Sequence, residues 1–445
     1  MIDPALSDTV AVSMAISTDR ANCSVLSALS LAKTAHPSVP MTNVLQEYIV
    51  VNPPGTTSQT TIDTELTPTR IGFLSDMPTG TSLGEYLDPI VLAIEDAMNE
   101  GRLGSPVELL ASHVVGLPTG QPDHVIAAYR DLVERGCVLV LSTGVTANAL
   151  VLCDLINATK VPYITMAGTT RFVGDHCFSL ANGGHGEEAA ILASYLADHE
   201  LRRVVVAGEC SIGNTEYHRF FAEQARLYGI EILEEHRFDE RPSDEQLDAI
   251  LRHFRDDLRP DALVYCGFGW NSSQFNPALQ RIEWQPPKIM NAAIMWALAS
   301  PEWMAALGGW DGIEQTLGDH EQMDKNRNWG PLLDRFEKRF GYRSDGTMLA
   351  LLYDQGRAAT EAIINAPVLS GEGLTEGLEQ IKMMPSTLSG PRTYIEFGPR
   401  DHRGYKGDFM FMKQLRDRNF HFSSYHWPQW PISRVAEVPS TQLSP

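Results

Sequence analysis

Leu132-Val133-Glu134-Arg135-Gly136-Cys137-Val138-Leu139-Val140-Leu141-Ser142, followed by the run Thr146 to Asn157 and then by Val161-Pro162-Tyr163-Ile164-Thr165-Met166, is the stretch that decides the fold. Cys137 to Ser142 (CVLVLS) and Val161 to Met166 (VPYITM) are short apolar runs rich in Val, Ile and Leu, and they read as strands. The residues between them, from Thr146 to Asn157, have the length and pattern of a helix. Strand, helix and strand at this spacing make a crossover unit. Near-continuous apolar strands belong to a parallel sheet whose two faces are both covered by helices.

The same alternation extends in both directions. Upstream, Arg70 to Ser75 and Val107 to Ala111 read as strands, and His124 to Glu134 as a helix. Glu85 to Asn99 carries Leu87, Ile90, Val91, Ile94, Ala97 and Met98 at three-and-four spacing, which is one face of a helix. Downstream a second series begins, with strands at Val204 to Ala207, Ile230 to Leu233, Ala262 to Cys266 and Lys288 to Asn291, separated by helices near 215–228, 244–258 and 272–283. The fold class is therefore α/β, with two Rossmann-like parallel-sheet lobes in series. Ligands of such sheets bind beyond the carboxyl ends of the strands, so function is to be sought in the loops that follow them.

Bulk properties narrow the function. The chain has 445 residues, 43% of them hydrophobic, which is enough for real cores. Its 56 acidic and 35 basic side chains give a formal charge of −21. That field repels phosphate backbones and anionic lipid, so nucleic acid is not an expected partner. No apolar stretch is long enough for a bilayer span, so the chain is not expected to be membrane-embedded. The cysteines (Cys23, Cys137, Cys153, Cys177, Cys210, Cys266) are widely spaced, with no C-x-x-C pair, and no histidines cluster at zinc spacing. Neither metal nor cofactor is expected. Cys137, Cys177, Cys210 and Cys266 sit in or beside strands, where a free cysteine serves as a small buried hydrophobe, and this usage favours a reducing compartment.

The ends differ in character. Residues 1–68 are rich in Ser, Thr and Pro, and Asn52-Pro53-Pro54-Gly55 interrupts any regular element, so this part reads as a loosely structured extension in which Met41 would serve equally as initiator. Residues 431–445 read as a flexible tail. Asp3, Asp8 and Asp19 precede or flank the first basic residue, Arg20, the reverse of a signal peptide's charge order. Cys23 to Ala32 is the nearest imitation of one, but it is short and rich in serine, and a cytoplasmic location is the expectation.

Several segments carry a family likeness. They are Arg70-Ile71-Gly72-Phe73-Leu74-Ser75 with Thr79-Gly80; Leu132 to Ser142 with Thr146-Ala147; Val161 to Thr165 with Gly168-Thr169; Tyr353-Asp354; and Gly390-Pro391 with Phe397 and Gly404. In this order and spacing, from about 70 to 430, the chain resembles the branched-chain amino-acid type of periplasmic binding protein, the type I periplasmic-binding fold. It is also similar to the signal-less amide sensors of that superfamily. The resemblance implies three crossings between lobes, hence a first lobe of 70–182 plus 318–388 and a second of 183–317 plus 389–430. It implies a hinge that closes on a small organic ligand, either amino-acid-like, an amide or a carboxylate, without chemistry. The implied partners are an ABC permease if the chain is exported, or a cytoplasmic regulatory protein if it is retained; a second copy of the chain is a further partner to expect.

The resemblance also assigns a site. Thr146 and Ala147 fall at the mouth, at the start of a helix whose free N–H groups favour a carboxylate, and Ala167 and Thr169 fall there from the next loop. Each is also the kind of residue that a helix cap or turn employs. In the second lobe Phe268 supplies an aromatic ring, with Trp296 nearby, while Cys210-Ser211-Ile212-Gly213 stands where relatives carry another ring, placing Ile212 at the site. Ala292-Ala293 stands where an acid would meet a ligand ammonium; Ala293 is counted at the site, and the missing acid argues against a free α-amino acid. The loop Thr79 to Tyr86 would cover the pocket, with Tyr86 reaching in and Glu85 in the first turn of its helix.

Enzyme readings are weaker. Gly208-Glu209-Cys210-Ser211-Ile212-Gly213 has the strand–turn–helix setting of a nucleophile elbow, which leaves a hydrolase using Cys210 as the alternative, but its spacing departs from G-x-S-x-G by one residue. Gly267-Phe268-Gly269-Trp270-Asn271-Ser272 lacks the third glycine of a dinucleotide fingerprint. His421 and His426 lie in an aromatic C-terminal stretch that reads as packing.

Overall fold

The computed structural model describes residues 45–54, 67–76, 83–114, 122–181, 183–269, 271–298, 301–314, 326–344, 347–390, 392–407 and 410–426. The extension before 45, the loop positions Thr79 and Gly80, Trp270, Pro391 and the 431–445 tail lie outside the described residues.

The first lobe is built on a six-stranded sheet in the order β1-β3-β2-β4-β5-β6. Its elements are β1 (Leu45–Val51), β2 (Thr69–Ser75), α1 (Leu83–Asn99), β3 (Val107–His113), α2 (Pro122–Glu134), β4 (Leu139–Leu141), α3 (Thr146–Thr159), β5 (Tyr163–Thr165) and β6 (Cys177–Ser179). β2 through β6 pair in parallel. Both faces are covered: Ile71, Phe73, Leu139, Leu141 and Ile164 pack under α1, and Leu74, Val140 and Tyr163 pack toward α2 and α3. β1 corrects the reading of 1–68 as wholly loose, because it pairs antiparallel with β3 from Leu45 opposite His113 to Val51 opposite Val107. It covers the edge of a sheet that would otherwise be left open.

The chain then enters the second lobe through α4 (His185–Asp198) and continues with β7 (Arg203–Glu209), α5 (Ile212–Leu227), β8 (Glu231–Phe238), α6 (Asp244–His253), β9 (Ala262–Tyr265), α7 (Phe275–Arg281), β10 (Lys288–Met290), α8 (Pro301–Ala306) and β11 (Asp311–Glu314). A capping box starts α6, where the Ser243 hydroxyl accepts from Gln246 N and the Gln246 side chain accepts from Ser243 N. The expected strand ending at Leu233 runs on to Phe238. β8 is the edge strand beside β7 and is only partly covered, so it keeps polar residues on both faces, Glu234 toward His253 of α6 and Glu235 and Arg237 toward α5, and the apolar run stops before the strand does.

α9 (Trp329–Phe340), α10 (Thr347–Asn365) and α11 (Gly371–Glu379) return to the first lobe. α10 lies against α1 at Gly356, where an added methyl would sit 2.9 Å from Ala93 Cβ and 3.0 Å from Ile90 Cα. A small sheet of β12 (Met384–Pro385), β13 (Tyr394–Ile395) and β14 (Tyr405–Lys406) follows. Ile395, Phe397 and Tyr405 are buried in the first lobe's core, so the expected return to the second lobe at 389 comes too early: the chain stays with the first lobe through β14. It then crosses to β15 (Phe411–Arg416) and β16 (Asn419–His426), which complete the seven-stranded sheet β16-β15-β11-β10-β9-β7-β8.

Asp354, from the Tyr353-Asp354 motif, ties this crossover together. Its buried carboxylate accepts from the Ser386 hydroxyl (2.8 Å), Thr387 N (3.0 Å), the Thr387 hydroxyl (2.9 Å) and the Tyr405 hydroxyl (3.2 Å). One acid on a helix thus anchors both the turn after β12 and β14, the strand from which the chain crosses. No described helix is long and apolar enough to cross a membrane.

Candidate ligand-binding cleft

The carboxyl ends of both sheets face a cavity of about 210 Å³. The first lobe supplies the turn Gly144 to Ala147 at the start of α3, Met166 and Gly168 after β5, and Met348 and Leu351 of α10. The second lobe supplies Glu209 to Ser211 and Gly213 to Asn214 after β7, Gly267, Phe268 and Asn271 after β9, and Asn291 to Ala293 after β10. Glu188 and Tyr217 line it from α4 and α5.

The two walls are close to one another. A methyl on Gly213 would lie 3.0 Å from Thr146 Oγ1 and 3.1 Å from Thr146 Cβ, so any side chain there would push Thr146 and α3 back by a few tenths of an ångström or more. Next to this contact, Glu216 of α5 reaches into the first lobe. Its carboxylate accepts from the Thr169 hydroxyl at 2.5 Å, from Thr170 N at 3.0 Å and from the Thr170 hydroxyl, with His185 Nδ1 at 3.4 Å. Burial pushes the Glu216 carboxyl up, but the hydrogen bonds from His185, Thr169 and Thr170 outweigh it and bring it down to about 2.

Three more acids meet the cleft or its walls. Asp76, beyond β2, is buried and accepts from Gly144 N (2.8 Å), Val145 N (3.1 Å) and Asn148 Nδ2 (2.9 Å), so it holds the turn that leads into α3 and leaves the first-turn N–H groups of Thr146 and Ala147 facing the cavity. Burial raises it to about 6 against the pull of those bonds. Glu188 is 4% exposed, accepts from Ala292 N at 3.0 Å and is driven by burial up to about 8. Glu209 accepts from the Tyr265 hydroxyl, from Asn271 N at 3.1 Å and from Asn214 Nδ2 at 3.1 Å.

The apolar side of the cavity is formed by Phe268 and Trp296, with ring centroids 5.7 Å apart, together with Met166, Met348 and Leu351. Trp296 Nε1 donates to the Phe268 carbonyl at 2.8 Å, which fixes the pair. Both rings also pack against the first lobe's core.

Two facing sheets of this topology, with a shared cavity at their strand ends, have a known counterpart. Residues 68–418 match the family model described as periplasmic binding protein. The chain belongs to the periplasmic binding protein family. These are non-enzymatic solute-binding proteins. An ABC transporter substrate-binding protein from Desulfitobacterium hafniense, solved with Leu, superposes at a TM-score of 0.64 with 16% identity, covering 80% of this chain and 100% of that one. A leucine-binding protein from Thermotoga maritima gives 0.64 and 16%, over 81% and 99%. An ABC transporter solute-binding protein from Rhodopseudomonas palustris, in complex with 3,4-dihydroxybenzoic acid, gives 0.63 and 18%, over 81% and 96%. At these identities the likeness is one of fold. No curated protein matches this chain in sequence.

Of the residues expected at the site of this binding protein, Thr146, Ala147, Phe268 and Ala293 line the cavity. Ala167 is buried between the lining residues Met166 and Gly168, and Ile212 lies between Ser211 and Gly213 in the first turn of α5. Thr169 spends its hydroxyl on Glu216. Tyr86 packs on the first lobe's core in α1 and is not among the residues that line the cavity. Cys210 is disulfide-bonded, which corrects its reading as a free buried thiol and leaves no thiolate for the hydrolase alternative. The hydroxyl of Ser211 caps α5 by accepting from Asn214 N at 3.0 Å. Cys137, Cys177 and Cys266 are free and buried.

Sequence reasoning missed Glu188, Glu209, Asn214, Tyr217, Asn271 and Asn291. Two were within reach of the strand-end rule, since Glu209 closes β7 and Asn291 follows β10. Glu188 was not, because an acid in the first turn of a helix ordinarily answers the helix dipole. The acid missing at Ala292-Ala293 is in effect supplied from α4, as Glu188 bonded to the Ala292 amide.

Proposed function

We propose that this protein is a receptor that captures a small, largely apolar solute between its lobes and delivers it in the closed form to an ABC-type importer. The observation that carries this reading is the shared cavity, walled by strand-end loops of both sheets and bounded by the Thr146–Gly213 contact and the Glu216 clasp. A solute there is enclosed by groups that come together only when the lobes close, so binding and closure are one event. Phe268 and Trp296 offer one flat apolar surface, and Met166, Met348 and Leu351 offer a pliable one. Thermal-shift screening of small amines, amides, amino acids and carboxylates tests the reading, since a solute at 100 times its Kd adds about 2.7 kcal/mol. A hit should also bring the lobes together in small-angle scattering; stabilisation that survives Phe268→Ala and Gly213→Val together would place binding elsewhere and refute it. Delivery to an importer requires export. A reporter active only outside the cytoplasm, fused after the described domain, should therefore be active, and a silent fusion would turn the reading toward intracellular sensing.

A further inference from the structure

We propose that Cys153 and Cys177 are a redox-active pair, which a small disulfide compound converts into an intramolecular disulfide joining α3 to β6.

The pair stands where the second half of α3 meets β6, the edge strand of the first lobe's sheet. Asn157, one turn along α3 from Cys153, holds both sides of the junction. Its Nδ2 donates to the Cys153 carbonyl at 2.9 Å and lies 3.9 Å from Cys177 Sγ, while its Oδ1 accepts from His176 N at 3.3 Å. The two thiols are hydrogen-bonded to one another. The other contact of the Cys153 thiol, to the Ala149 carbonyl, is a long one of 3.9 Å.

The two sulfurs differ in the way that thiol–disulfide exchange requires, one poised to attack and one to resolve. Cys153 is half-buried and lies beside Val173, which is 68% exposed, so a reagent can reach it. The hydrogen bond with Cys177 draws its thiol below the ordinary range, helped by the Val173 N–H and against the effect of burial. Cys177 is 1% exposed, and the same hydrogen bond, together with burial, holds its thiol well above that range. Cys137 and Cys266 are different. Burial is the chief influence on each and raises both, as it does for a cysteine that serves as a small hydrophobe.

The exchange balances in two steps. The Cys153 thiolate attacks one sulfur of RS–SR; the Cys153–SR bond forms, the RS–SR bond breaks and RS⁻ leaves. The Cys177 sulfur then attacks the Cys153 sulfur, closing the Cys153–Cys177 bond, and its proton goes to the departing second RS⁻. Both cysteines are oxidised, and RS–SR is reduced to two thiols. The new bond ties the helix whose first turn lines the cleft to a strand that already carries the segment leading into β14, since Ser179 N donates to the His402 carbonyl and Gly404 N to the Ser179 carbonyl, both at 2.8 Å.

Peptide mapping tests this on the full chain. The folded protein is incubated with excess oxidised glutathione, alkylated with iodoacetamide in denaturant and digested without reductant. Cys153 and Cys177 should escape alkylation and appear as one joined peptide pair, two hydrogens lighter than its parts, while Cys137 and Cys266 are alkylated. Cys177→Ser should stop Cys153 at the glutathione mixed disulfide, and Cys153→Ser should leave Cys177 a thiol without an adduct. The wild-type map decides the matter even where a variant does not fold. Cys153 and Cys177 both alkylated, Cys153 left carrying glutathione in the wild type, or either one joined to Cys137 or Cys266 as often as to the other would overturn the proposal.

Discussion

Replacing Glu216 by Gln removes the charge from the clasp between the lobes while keeping the side chain's shape. The side chain is 3% exposed, so water screens it little. Its carboxyl falls from an ordinary 4.5 to about 2, and that preference for the ionised form corresponds to about 3 kcal/mol. In the opened protein the carboxylate and the Thr169–Thr170 donors would meet water, which returns part of this, so the net contribution to closure is about 1–2 kcal/mol. Gln also replaces one acceptor oxygen by an N–H₂, which cannot accept from Thr170 N or keep both threonine hydroxyls as donors. Glu216→Gln should thus lower the closed-to-open ratio about tenfold. The sign with pH follows from the lowered value: the clasp is fully present above 4.5 and is lost as pH falls through about 2. Spin labels at the exposed positions Glu134 and Arg226, one in each lobe, would report the interlobe distance. In the wild type the distance should lengthen on acidification below 4.5, and in the variant it should be longer already at pH 7 and insensitive to acid. Identical distances in both proteins at pH 7 would refute the clasp.

Gly213→Val should hold the cleft open, because even a methyl meets Thr146 at 3.0 Å; solute affinity should drop while the unfolding midpoint of the ligand-free protein changes little, and unaltered affinity would contradict the close approach. Asp354→Ala strands the Ser386, Thr387 and Tyr405 donors and should cost roughly 2–4 kcal/mol in urea unfolding. Glu188, raised to about 8 by burial, is neutral in the ligand-free protein at pH 6, so stability should decline as pH rises from 4.5 through 8, by an amount on the order of 3–5 kcal/mol at full ionisation. Glu188→Gln should flatten that decline, and a wild-type curve that is already flat would show that the carboxyl ionises freely.

Much of the architecture follows from local pattern. The β-α alternation from Arg70 to Asn291 was legible because buried parallel strands must be apolar on both faces and their helices on one. β1 was not, because Leu45–Val51 is a strand only by virtue of pairing with β3, some sixty residues on, and its neighbours Asn52-Pro53-Pro54-Gly55 carry turn chemistry. β8 was cut short at Leu233 because an edge strand is only partly covered. The small sheet that holds the chain in the first lobe through Tyr405 consists of two-residue strands, too short for any periodicity to register.

For the cleft, the sequence by itself determined where the loops lie: the turns holding Thr146, Ala147 and Phe268 follow strands, and strand ends of one sheet are neighbours whatever the residues between them. Only the tertiary structure decided the charge of the site. Asp76, Glu188 and Glu216 act at the cleft from the end of one strand and from two helices, and whether an acid there faces solvent, a helix end or a cavity depends on the packing of the elements that carry it. Electrostatic energy depends on distance in space, and distance along a chain does not report it.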